Sequence, residues 1–185
     1  MNQEIFIKQL NEVGLGDIDL VGGKNASLGE MIQNLSALNI EIPNGFIITV
    51  HAYKKFIEVN NLDDAIKGII ANIDFDNIES LRRHGLQIRQ LVKNSKFPKE
   101  LSELIIEQYY ALSGNYGQKE TDVAVRSSAT AEDLPDASFA GQQETYLNVR
   151  GPASLIDAVR NCFASLFTDR AISYRESFNY DHFQL

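Results

Sequence analysis

With 185 residues, of which 44% are hydrophobic, the chain has enough apolar material for one sizeable core, so one domain, or one domain with a lobe, is expected. A formal net charge of −8 argues against nucleic acid as the main partner, because a phosphate backbone calls for a basic face. The single cysteine excludes an internal disulfide, and no signal segment or apolar run of about 20 residues is present, so no membrane association and a cytoplasmic location are expected.

In chain order, a short strand is predicted over residues 5–7. Two glycines, Gly22 and Gly23, then lead into a helix on which Leu28, Met31, Ile32 and Leu35 recur at helical spacing. Extending that stripe backwards puts Lys24 in the first turn. A cation there is disfavoured by about 0.3–1 kcal/mol unless an anion sits nearby, because helix amino ends carry unpaired N–H groups and partial positive charge. A phosphate would reverse the sign, although a lysine that snorkels to water would look the same in sequence. The segment is not a Walker A loop, which needs glycine at Ile18 and serine or threonine at Asn25.

Residues 43–45, Pro-Asn-Gly, turn into a strand over 46–49. A helical block follows at 52–59, 62–71, 78–92 and 101–112, broken at 95–98 and closed by an exposed loop at 114–119. Ile78, Leu81, Ile88 and Val92 mark one core face. Arg82, Arg83 and Arg89 share that helix and read as a solvated surface.

An apolar strand over 123–126 delivers Arg126. Alternation places Val123 and Val125 on one side and Ala124 with Arg126 on the other, so the guanidinium projects from a half-buried surface and requires an acceptor. A phosphate would satisfy it through paired, charge-assisted bonds; an internal salt bridge to Glu132 or Asp133 would do so as well. Asp133, Leu134, Pro135 and Asp136 then break the chain. Residues 137–141 offer small side chains before a strand resumes at 145–149. Such a stretch suits a flap whose backbone amides approach an anion around Gly141, with Ser138 and Gln142 as added donors; a surface hairpin with Phe139 in the core is the alternative.

Closing helices are predicted at 153–167 and 169–178, packed over the sheet. Cys162 falls on the stripe of Leu155, Ile156, Val159, Phe163, Leu166 and Phe167 and reads as a buried core thiol. No internal repeat or low-complexity tract interrupts the series.

Three motifs, VGGKNASLGEM at 21–31, VAVRSSATAEDLPDASFAGQQETYLNV at 123–149 and FASLFTDRAISYR at 163–175, carry a resemblance. From about residue 15 to 182 the chain closely resembles the nucleotide-binding front end of the phosphoenolpyruvate synthase family, whose module is shared with pyruvate phosphate dikinase and rifampicin phosphotransferase. The wording of the first two motifs fits the synthase best. The resemblance implies an α+β fold in which residues 1–185 form the N-terminal subdomain of an ATP-grasp fold, with a small mixed sheet and a helical lobe at about 52–113.

It implies further that Lys24 and Arg126 hold ATP phosphates and that the Ser138 to Gln142 segment, Gly141 included, closes over them. The family reaction converts ATP, pyruvate and water to AMP, phosphoenolpyruvate and phosphate through a phosphohistidine on a separate domain. His51, His84 and His182 lack that carrier's sequence context. By the same resemblance the chain stops early: the second half of the fold, the acidic Mg²⁺ ligands, the phosphohistidine domain and the pyruvate barrel are expected outside it. Glu132, Asp133, Asp136 and Glu144 read as solvated turn carboxylates, not metal ligands. Catalysis by this chain alone is not expected, and an oligomer of the full enzyme is compatible with the reading. A non-catalytic nucleotide-binding module is the competing interpretation.

Overall fold

The computed structural model describes residues 5–35, 38, 40, 42–128 and 144–183, together with the backbone of 133–134 and 137–138. The first strand, β1 (Ile7–Gln9), pairs antiparallel with β2 (Phe46–Ile48), Ile7 opposite Ile48 and Gln9 opposite Phe46. Between them the chain makes single 3₁₀ turns at Leu10–Glu12 and Leu15–Asp17, then a four-residue helix α1 (Ile18–Val21) and the longer α2 (Gly23–Leu35).

Sequence periodicity misplaces the packed face of α2. Its buried residues are Gly23, Ala26 and Gly29, whereas Leu28 and Ile32 are half-buried and Met31 is exposed. The cause is a close backbone approach. A Cβ built at Gly29 would collide with the Val13 carbonyl oxygen, so only a helix face of small residues can lie against the 10–13 turn. A minor core of Leu10, Val13, Val21, Ala26 and Ile47 forms there, flanked by Leu28 and Ile32.

Thr49 ends β2 and begins α3 (Val50–Val59). Its hydroxyl donates to the Ile5 carbonyl at 2.5 Å and its N–H to the Phe6 carbonyl at 3.1 Å, which prolongs the β1–β2 contact and explains a threonine that is almost wholly buried. Next come α4 (Leu62–Ile70), α5 (Ile78–Asn94) and α6 (Lys99–Asn115). Asn77 caps α5 by accepting from the N–H groups of Glu79 and Ser80. Ile88 and Val92 are fully buried as expected, but Ile78 is exposed; Ser80 turns inward instead, accepting from the Asp74 N–H at 3.0 Å.

The strand β3 (Val123–Arg126) is followed by two short strands, β4 (Asp133–Leu134) and β5 (Ala137–Ser138), which pair antiparallel with each other. Then β6 (Thr145–Val149) returns to pair antiparallel with β3. The register slips between Val123 opposite Val149 and Val125 opposite Tyr146. The extra residue on β6 lies within Leu147 and Asn148, the latter at φ 55°, a left-handed conformation that asparagine tolerates better than most residues. Among the described residues, therefore, the expected small mixed sheet is three separate two-stranded antiparallel ladders, and the α+β class holds. Strands of two to five residues leave few ladder bonds, and helix packing supports one face of the β3–β6 ladder through α7 and β2 through α6.

The chain closes with α7 (Pro152–Ser165), which packs on β3 and β6, and α8 (Asp169–Ser177). One main core joins the helical block to these last helices: Phe56, Ile66, Ile88, Ile105, Tyr109, Val159, Phe167 and Ile172 are all essentially inaccessible. Arg89 corrects the reading of its helix as a solvated surface. Its Nη1 donates to Asp169 Oδ1 at 2.6 Å and to the Phe167 carbonyl at 2.8 Å, tying α5 to the start of α8, while Arg82 and Arg83 are exposed or nearly so. No helix among the described residues is long and apolar enough to cross a membrane.

Candidate functional site

Two segments distant in sequence meet at the start of α2. Gly22 has φ +78°, and a Cβ there would collide with the Ser128 carbonyl oxygen, so glycine is required both by conformation and by space. The Asn25 N–H donates to Ser128 Oγ at 3.1 Å, and Asn25 Nδ2 donates to the Val21 carbonyl at 2.8 Å. The glycine–lysine turn thus rests on the chain just beyond β3.

The position of β3 is fixed from below by α6. Buried Tyr109 donates its hydroxyl to the Thr121 carbonyl at 2.8 Å and accepts from the Gly151 N–H at 3.0 Å. Ser113 Oγ accepts from the Thr121 N–H at 3.1 Å. These bonds anchor both the approach to β3 and the start of α7, and Arg126 stands at the far end of β3.

A cavity of about 670 Å³ opens between α2, β2, β3 and α7. Asn25 and Leu28 line it from α2, Thr49 from the end of β2, Arg126, Ser127 and Ser128 from the end of β3, and Cys162 from α7. Apolar walls with a polar rim are the usual character of a small-molecule site. A shallower groove of about 520 Å³ between α4 and α5 involves Asp64, Asn72, Arg83 and His84.

Lys24 is exposed on the first turn of α2, and Arg126 is exposed and lines the cavity. The half-buried setting expected for Arg126 is not found. Val123 and Val125 are the half-buried pair, facing α7, whereas Ala124 and Arg126 lie on the uncovered face. Nor are all the first-turn amides of α2 open, because the Asn25 N–H is taken by Ser128 and the Ala26 N–H by the Gly22 carbonyl at 3.1 Å. Of Ser138 only the backbone is described, in β5 opposite Asp133; Gly141 and Gln142 lie outside the described residues, as do Glu132 and Asp136.

Sequence reading misses Ser128, whose role depends on a contact across 103 positions. A hydroxyl two residues past a strand end is the only local hint. Burial pushes the Cys162 thiol up to about 12, aided by the Glu144 charge, and burial raises the Tyr146 hydroxyl to about 12 as well. Neither group is poised as a nucleophile or base at neutral pH. Among the described residues, no cluster of three or more His, Cys, Asp or Glu side chains could hold a metal ion.

The histidines are engaged elsewhere. His51 Nδ1 accepts from the Ile5 N–H at 3.3 Å, His84 contacts Ser80, and His182 contacts Arg175.

Comparison with known proteins places this chain in a family. The model for the pyruvate phosphate dikinase AMP/ATP-binding domain matches residues 18–185. A phosphoenolpyruvate synthase of Aquifex aeolicus is 55% identical over 176 residues, 95% of this chain and 21% of the relative. The Escherichia coli phosphoenolpyruvate synthase is 49% identical over 172 residues, 93% of this chain and 22% of the relative. A probable phosphoenolpyruvate synthase of Methanocaldococcus jannaschii is 45% identical over 180 residues, 97% of this chain and 15% of the relative. The chain therefore spans about a fifth of the length of the curated relatives it matches. With residues 18–185 matched by that model, the chain belongs to the pyruvate phosphate dikinase AMP/ATP-binding domain family.

Proposed function

We propose that this chain is the front portion of the ATP-binding unit of a phosphoenolpyruvate synthase, an ATP-grasp phosphotransferase of the cytoplasm. In this reading Lys24 and Arg126 hold the ATP phosphates, and the loop bearing Ser138, Gly141 and Gln142 closes over them. The reading rests above all on the bond from the Asn25 N–H to Ser128 Oγ, which joins the segment carrying Lys24 to the segment carrying Arg126. Two cations on abutting segments suit a polyphosphate, since each charge-assisted bond contributes about 1.5–3 kcal/mol.

The full reaction would convert ATP, pyruvate and water to AMP, phosphoenolpyruvate and phosphate through a histidine outside this chain. The names of the relatives favour the synthase over an antibiotic phosphotransferase. Mg²⁺ would accompany ATP, with its ligands outside this chain. The contribution of this chain is to bind and orient phosphates.

Titration calorimetry with ATP tests the assignment. Lys24→Ala and Arg126→Ala are each expected to weaken binding about ten- to a hundredfold relative to wild type. Equal affinity in all three proteins would count against both residues.

A further inference from the structure

We infer that Ser128 is a positioning residue for nucleotide binding: its hydroxyl latches the glycine–lysine turn onto the end of β3 and thereby sets the spacing between the two phosphate-holding cations. The inference rests on the proposed role of Lys24 and Arg126. Three observations on two segments support it. The Ser128 hydroxyl accepts from the Asn25 N–H at 3.1 Å, serving as a cap supplied from 103 residues away. The Ser128 carbonyl lies where a Gly22 Cβ would stand, so the two backbones are already as close as glycine permits. Asn25 in turn bonds the Val21 carbonyl through its own side chain, which stiffens the turn on the other side.

The latch occupies an amide that an anion at this helix start would otherwise approach. It consequently leaves phosphate binding to side chains and to neighbouring amides, and makes the hydroxyl one of the contacts that fix residue 24 relative to residue 126, beside the backbone contact at Gly22. Ser128 touches no phosphate in this scheme. Its effect on affinity is exerted through Lys24.

The test uses Ser128→Ala, Lys24→Ala and the double variant in the 185-residue chain. Amide exchange followed by NMR is expected to speed up at Asn25 by about fivefold in Ser128→Ala, the scale of a lost helix cap, with Tyr109 in the core of α6 still protected. ATP affinity is expected to fall about fivefold in Ser128→Ala, and the double variant to bind no worse than Lys24→Ala. Unchanged exchange at Asn25 would overturn the latch, and strictly additive losses in the double variant would overturn its action through Lys24. A wild-type chain that takes up no ATP would overturn the nucleotide reading and the positioning role together, while the exchange data would still report separately on the bond itself.

Discussion

Arg175 Nη2 donates to the carbonyl oxygen of Leu166 at 2.6 Å, fastening α8 to the turn that follows α7. The residue is 2% exposed, its Nε donates to His182 Nδ1 at 3.2 Å, and its guanidinium lies 5.6 Å from the centre of the Phe167 ring. Burial lowers its pKa to about 10, so it stays charged at neutral pH. Removing it strands a buried carbonyl. Arg175→Met, which keeps much of the volume, is expected to cost about 1–3 kcal/mol in urea denaturation. Arg175→Ala should cost more, about 2–5 kcal/mol, because a cavity is added. A methionine variant as stable as wild type would mean that desolvation of the charge had cancelled its hydrogen bonds.

His182 makes that arrangement sensitive to acid. To accept from Arg175 its Nδ1 must be unprotonated, and burial together with the nearby Arg175 charge holds the imidazole below its ordinary value, while Glu176 and Asp181 pull the other way. The unfolded chain therefore takes up a proton near pH 6.5 that the folded chain binds only at lower pH. The unfolded state holds more protons in that window, so stability falls as pH drops below about 6.5. Denaturation curves between about pH 7.5 and about pH 5, on either side of the ordinary histidine value, should show a shallower decline for His182→Asn than for wild type. Parallel declines would remove His182 from the account.

Cys162 offers a check on the cavity wall. With its thiol raised to about 12 by burial, roughly one part in ten thousand is thiolate at pH 8. A disulfide reagent should therefore label the native chain slowly and the unfolded chain at once. Rapid native labelling would show that the thiol is more accessible than its 6% exposure on the cavity wall implies.

Supplied with ATP, Mg²⁺ and pyruvate, the chain by itself is expected to form no phosphoenolpyruvate. His51, His84 and His182 do not line the cavity beside Arg126, so none is placed to carry a phosphoryl group from it. Detection of the product by a coupled assay would refute this.

Much of the local structure is legible before any contact is known. Alternation locates β3 and β6, helical spacing locates α3 to α8 within a few residues, and the two glycines before Lys24 announce a tight turn. Local signals fail where packing overrides pattern. The small face of α2 is buried and its Met31 exposed, because Gly29 has to meet the backbone at Val13. Arg89 reads as a surface charge, yet it serves the Phe167 carbonyl, and backbone acceptors leave no trace in side-chain patterning.

The sequence by itself determined the order of the longer elements, α2 to α8 with β2, β3 and β6 among them, and the two cation-bearing segments, since these follow from residue type and short-range spacing, while the α+β class followed from the family resemblance. Only the tertiary structure decided that those segments abut through Asn25 and Ser128 and that Arg126 stands on an uncovered strand face. A contact between positions so far apart depends on how α6 and α7 hold β3 against the turn, and that placement arises from the packing of the whole core.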